Sequence, residues 1–149
     1  MKTAVLFQRS HIAPCGINCG TCKAYQRVRN KCSGCMSVHG PKVNHCMTCS
    51  IRNCESLAKT VSKFCSECEK FPCLKIRKID KRYQGRYETS LILNLRTIDK
   101  IGIESYLNQE SARWTCSNCG ALLCAHNNSC TECGKTYIDP LFQKNILIT

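Results

Sequence analysis

The chain has few aromatic side chains: they make up 7% of its 149 residues and include a single tryptophan. That limits the apolar area a core can bury, and small cores are usually completed by disulfides or metals. Acidic residues are also few and scattered, ten against twenty-two Lys and Arg, so neither a paired-carboxylate site nor a Ser-His-Asp site is indicated. No apolar run approaches the roughly eighteen residues that read as a membrane-spanning helix. The opening segment MKTAVLFQRSHIAPC breaks its short apolar run at Gln8, Arg9 and His11, which is not the pattern of a secretory signal. The expected compartment is the cytoplasm, where thiols stay reduced.

What the chain does have is cysteine, sixteen in all, with twelve in six Cys-x-x-Cys pairs: Cys19/Cys22, Cys32/Cys35, Cys46/Cys49, Cys65/Cys68, Cys116/Cys119 and Cys130/Cys133. Two thiolates on one tight turn reach the same tetrahedral ion, so this spacing points to metal, and to zinc first. A secreted disulfide scaffold is the competing explanation, but such scaffolds rarely repeat x-x pairs. Cysteine also inflates the 43% hydrophobic content, leaving an ordinary core that must be modest.

Charge divides the chain. Residues 1–82 carry sixteen Lys and Arg against four acidic residues, whereas 83–149 carry six of each. Zinc ligation deprotonates thiols, so two ions held by eight thiolates would lower the formal excess of the first part from +12 to +8. The remainder is available to an acidic partner. Lys75, Arg77, Lys78, Lys81 and Arg82 form the densest basic run; a solvated helix face is the default reading, a phosphate-binding face the sharper one.

Three zones follow. In the first, Cys46-x2-Cys49-x4-Cys54 recurs as Cys65-x2-Cys68-x4-Cys73. Each repeat is expected to run into a helix. The first is capped by Asn53, with Leu57, Ala58, Val61 and Phe64 on one stripe; the second starts near Pro72, with Leu74, Ile76, Ile79 and Tyr83. Cys54 and Cys73 then fall near helix N-termini and are candidate ligands. The second zone is helical: Leu91, Leu95, Ile98 and Ile101 keep helical spacing, Gly102 ends that helix, and a further helix spans 103–114. The third opens at Trp114, where Cys116-Ser-Asn-Cys119-Gly and Cys130-Thr-Glu-Cys133-Gly predict a zinc ribbon of two β-hairpin knuckles. Each trailing glycine would supply a positive φ. Cys124 and His126 lie between the knuckles and are left out of that ligand set.

The first eleven cysteines do not divide by four. Four pairs fill two tetrahedral sites in three ways, none decidable from spacing, and Cys15, Cys54 and Cys73 remain over. A third zinc completed by His39 or His45 is one solution. An iron-sulfur cluster is another, although Cys15-x3-Cys19-x2-Cys22 lacks the chain length of a radical S-adenosylmethionine barrel.

Several segments carry a resemblance: Pro14-Cys-Gly-Ile-Asn-Cys-Gly-Thr-Cys22, Cys32-Ser-Gly-Cys35, Cys46-Met-Thr-Cys49 with Cys54, and Phe64-Cys-Ser-Glu-Cys-Glu-Lys-Phe-Pro-Cys73. On these the chain resembles the prokaryotic cysteine-rich domain of unknown function 3795 family. It is similar to a longer subgroup that ends in a ribbon, a likeness extending over nearly the whole chain. The resemblance implies metal-binding cysteines and carries no catalytic residue.

The expected architecture is a small metal-stabilised α+β protein: a basic cysteine-rich domain over 1–82, a helical segment over 83–113 packed on it, and a zinc ribbon over 114–149. Three or more zinc ions are expected, with an iron-sulfur cluster as the variant for the N-terminal domain. The expected function is a non-enzymatic interaction module that meets nucleic acid or an acidic protein surface. The alternative is an iron-sulfur or thiol-dependent redox or sulfur-handling enzyme with Cys15 or Cys124 as candidate thiols.

Overall fold

The computed structural model describes residues 5–29, 32–34 and 49–143; Cys35, Cys46, His39 and His45 lie outside them. The α-helices are α1 (Lys23–Gln26), α2 (Glu55–Ala58), α3 (Leu74–Tyr87), α4 (Leu91–Ile101) and α5 (Ile103–Arg113), and residues 140–143 are also helical. Single 3-10 turns at Arg9–His11, Cys19–Thr21 and Cys65–Glu67 join them.

The long helices follow their apolar spacing. In α4, Leu91, Leu95 and Ile98 are buried, the Ser90 side chain accepts from the Leu93 amide at the start, and Gly102 closes the helix at φ +85°. Ser90 thus satisfies one of the first-turn amides, and glycine accepts the positive φ without a Cβ clash. Helix α3 turns Ile76 and Tyr83 inward but leaves Leu74 exposed; Cys73 is its N-cap residue, directly after the cis Phe71–Pro72 bond. The predicted helix after Cys54 is shorter than its stripe. It stops at Ala58, Cys54 rather than Asn53 occupies the N-cap, and Asn53 donates to the Cys49 carbonyl instead. Val61 is exposed, and Phe64 is buried from outside the helix. Glu67 competes for this stretch by accepting from the amides of Val61 and Ser62, which fixes a turn there.

Helix α4 packs against both α3 and α5 and against the Cys65–Glu67 turn. Ile12, Ile76, Leu91, Leu95 and Tyr106 form the fully buried centre. Burying one such aliphatic side chain contributes about 1.5–3 kcal/mol. Gly16, at φ +96°, lets the N-terminal segment lie directly on α4: a Cβ there would stand 2.8 Å from the Leu91 carbonyl oxygen.

The C-terminal region corrects the expected α+β class. No described residue lies in an extended strand; each knuckle closes with one antiparallel bridge, Thr115 to Leu122 and Ser129 to Thr136. The predicted β-hairpins are therefore tight turns. Pairing continues past each bridge by one further backbone bond only, from the Leu123 amide to Trp114 and from the Tyr137 amide to Asn128, and Asn127, Asn128 and Ser129 between the knuckles favour a turn. Apolar contacts here centre on Trp114, Ala121 and Leu123, with Phe7 and Tyr137 against them.

A buried polar hub ties these parts together. The Arg113 guanidinium donates to Glu110 at 2.8 Å, to both oxygens of Asp139 at 2.8 and 2.5 Å, to Asn94 at 2.9 Å and to Thr89 at 3.2 Å. Glu110 also accepts from Asn18 and from the Trp114 indole, while Asn94 donates to the Gly16 carbonyl. Burial alone would push the Arg113 guanidinium down, but Glu110, Tyr106 and Asp139 hold it well above its ordinary value. The Arg113 guanidinium is thus fully hydrogen-bonded inside the protein, the condition under which a buried charge is tolerated.

Candidate metal centre

The two C-terminal knuckles are built alike. In the first, the Cys116 amide donates to Ala121 and the Gly120 amide to Cys116; in the second, Cys130 donates to Lys135 and Gly134 to Cys130. Gly120 and Gly134 adopt φ +79° and +77°, as the spacing predicted. This folding brings Cys116, Cys119, Cys130 and Cys133 together with all four sulfurs within 4.8 Å of one another. Cys116 and Cys133 are 3.7 Å apart, Cys119 and Cys130 3.6 Å. A tetrahedral ion with metal–sulfur bonds of about 2.3 Å has sulfur edges of about 3.8 Å, which these two separations match, so the set could hold one such ion. Cys116 and Cys130 are buried and Cys133 is exposed, so the ion would sit at the surface end of this region.

The surroundings favour thiolate at two corners. The Asn118 side chain, followed by the Lys135 amide, draws Cys133 down to about 6. The amides of Cys119 and Asn118 lower Cys116. At Cys119 the Ala121 amide pulls the same way, but burial and the neighbouring thiols outweigh it and raise the group to about 11. Crowded thiols resist losing all their protons together, and a bound cation removes that resistance.

A second thiol group lies in the cysteine-rich segment. Cys54, Cys65, Cys68 and Cys73 line a cavity of about 30 Å³ whose other walls include Leu57, Phe71 and Ile76. Cys65 is buried and pushed up to about 12, first by burial and then by the negative potential of Cys73, Cys54, Cys68 and Cys49. Cys54 is lowered, chiefly by the Leu57 amide. Among the described residues only the C-terminal sulfurs all lie within 4.8 Å of one another; the cavity-lining thiols are set more widely.

Cys15, Cys19 and Cys32 are buried elsewhere. Burial, then Cys15 and Cys22, raise the Tyr83 hydroxyl. Cys124 is raised by its own burial and, more weakly, by Cys22, an environment that opposes a reactive thiolate. Spacing gave no sign of this approach: Cys124 stands opposite Cys22 because the Ala125 amide donates to Thr21. His126 accepts from the Lys23 amide at Nδ1, which leaves Nε2 as the protonated nitrogen, facing the Tyr83 oxygen at 3.1 Å. It is a strut between the C-terminal region and α3. The residues missed altogether are Arg113, Glu110, Asp139 and Asn18, since isolated polar residues carry no spacing signature.

Fold and site define a small, helix-rich, cysteine-rich protein with a four-thiol site able to hold a metal ion near its C-terminal end. The family described as Protein of unknown function (DUF3795) matches residues 11–78, so the family expected from the motifs is the one found, on the cysteine-rich segment rather than on nearly the whole chain. The C-terminal four-thiol site lies outside the matched stretch. No curated protein and no solved structure matches the chain. No described helix is long and apolar enough to cross a membrane.

Proposed function

We propose that this is a zinc-binding interaction protein: the C-terminal thiols hold zinc as a structural ion, and the exposed face of α3 meets an anionic partner, nucleic acid before an acidic protein. The observation that carries the reading is the one-sidedness of α3. Lys75, Arg77, Lys78, Lys81, Arg82 and Arg86 are all exposed, while the helix's single acid, Asp80, is buried and accepts from Ser90, Gln84 and the Ile92 amide. The helix therefore presents cations without an opposing carboxylate of its own, as phosphate-backbone contact requires. Few aromatic residues accompany them, so base stacking contributes little and affinity should fall steeply with salt.

The test is fluorescence anisotropy of a labelled DNA duplex against salt concentration, with the wild type and with K78E/K81E/R82E. Binding at low salt that weakens at least tenfold in the variant, with a shallower salt slope, is expected. Absence of binding at low salt removes the nucleic-acid reading and leaves the acidic protein surface. The alternative, a cluster- or thiol-dependent redox or sulfur-handling enzyme, is supported by the second thiol group; a colourless, zinc-only protein obtained without oxygen would exclude the cluster form.

A further inference from the structure

We infer that Cys54, Cys65, Cys68 and Cys73 form the ligand set of a second metal centre, independent of the C-terminal four-thiol site. The inference deepens the metal-binding reading by choosing among groupings that spacing leaves open. It rests on convergence. The two halves of the Cys-x2-Cys-x4-Cys repeat arrive from different elements: Cys54 precedes α2, Cys73 precedes α3, and Cys65 and Cys68 bracket the turn between them. All four meet at one cavity, with apolar side chains supplying most of the remaining wall. What four thiols converging on an apolar void share chemically is affinity for a soft cation. The backbone holds the arrangement: the Cys65 amide donates to the Pro14 carbonyl and the Cys68 amide to that of Cys65. Cys54 and Cys73, the surplus when the cysteines are counted as pairs, are thereby accounted for, each as the partner of a knuckle rather than as half of one.

The wider setting of these thiols separates two occupants of the same thiolate chemistry. A single zinc would draw the four inward to edges of about 3.8 Å, whereas an iron-sulfur cluster is gripped by thiolates on separate irons and suits the broader spacing. The experiment distinguishes them. The full chain is produced with zinc and iron both supplied, purified without oxygen, and assayed for zinc, iron and acid-labile sulfide per chain, alongside C54S/C73S and C116S/C130S. The expected result is that C54S/C73S loses either one zinc or the iron and sulfide together while retaining the C-terminal ion, and that C116S/C130S does the reverse. Alkylation of the native wild type, mapped by mass spectrometry, needs no variant to fold: Cys54, Cys65, Cys68 and Cys73 should be protected until the metal is stripped. Full reactivity of these four thiols in the metal-loaded protein, or wild-type metal content in C54S/C73S, overturns the inference. Because the C-terminal ion is read separately, failure here is distinct from failure of the zinc reading.

Discussion

The C-terminal thiols and the Cys54–Cys73 group carry the same chemistry on different scaffolds. The C-terminal four hang from two nearly identical knuckles with no helix among them, and local amide bonds aim their sulfurs into a set already at tetrahedral spacing. The second group is gathered from residues up to nineteen positions apart, held where α2, α3 and the Cys65–Glu67 turn meet, and it remains wider. One site is made by local turn geometry and can stand beside a very small core. The other is made by tertiary packing and shares its walls with the main core through Leu57 and Ile76. A thiolate site with little core depends on its ion for stability, whereas one embedded in packed helices has a hydrophobic layer to fall back on.

The largest test of that contrast is metal withdrawal. Apparent binding free energies of structural zinc reach about 10–16 kcal/mol near neutral pH, so chelation should abolish amide-exchange protection over 115–136. Much of the far-UV helical signal of α3–α5 should persist, because Ile76, Leu91, Leu95 and Tyr106 pack without any metal. Complete loss of helix would instead make the ions the core of the whole molecule.

Next comes the hub that joins the two regions. Arg113→Met leaves Glu110 and Asp139 buried without their partner, and breaking such a network costs about 3–5 kcal/mol. Urea unfolding should show that loss; a variant within 1 kcal/mol of wild type would show that the hub does not hold the regions together. At the shared wall, Ile76→Val removes one fully buried methylene and should cost about 1 kcal/mol, with metal content per chain unchanged. A loss of metal in that variant would mean the second thiol group depends on packing more tightly than its wall suggests.

The smallest expected effect is a pH dependence at His11, which packs edge-on against Phe7 and Tyr25 and accepts from the Gln8 amide at Nδ1. Burial lowers its protonation below the ordinary value near 6.5. A histidine held neutral in the fold contributes stability that is present above the unfolded value and is lost as pH falls below it toward the folded one. Between pH 7 and pH 5 the wild type should therefore lose slightly more stability than His11→Gln, measured with the same metal content in both. Equal slopes would remove His11 as the cause.

How much of this could be read in advance depends on how local each feature is. The knuckle turns, the glycines at positive φ and the helices around Leu95 and Tyr106 were legible because each is set by residues within a few positions. The helix after Cys54 was over-extended because its apolar stripe was read without the competing turn around Glu67. The expected hairpins are shorter in the structure because ligand spacing fixes a turn but not the length of its arms. The approach of Cys124 to Cys22 and the bonds of Arg113 to Asp139 were not legible, since those partners lie on the order of a hundred and about twenty-five positions away.

By itself, the sequence determined that this protein carries its thiols at metal-ligand spacing, that one four-thiol set lies near its C-terminal end, and that its basic charge is concentrated in the first eighty-two residues. Only the tertiary structure brings Cys54, Cys65, Cys68 and Cys73 to one cavity, because eleven near-equivalent thiols admit many groupings and spacing ranks none of them. The choice falls to the packing of α3 and α4 on the N-terminal segment and to the buried Arg113 network that holds them there, both products of long-range contact.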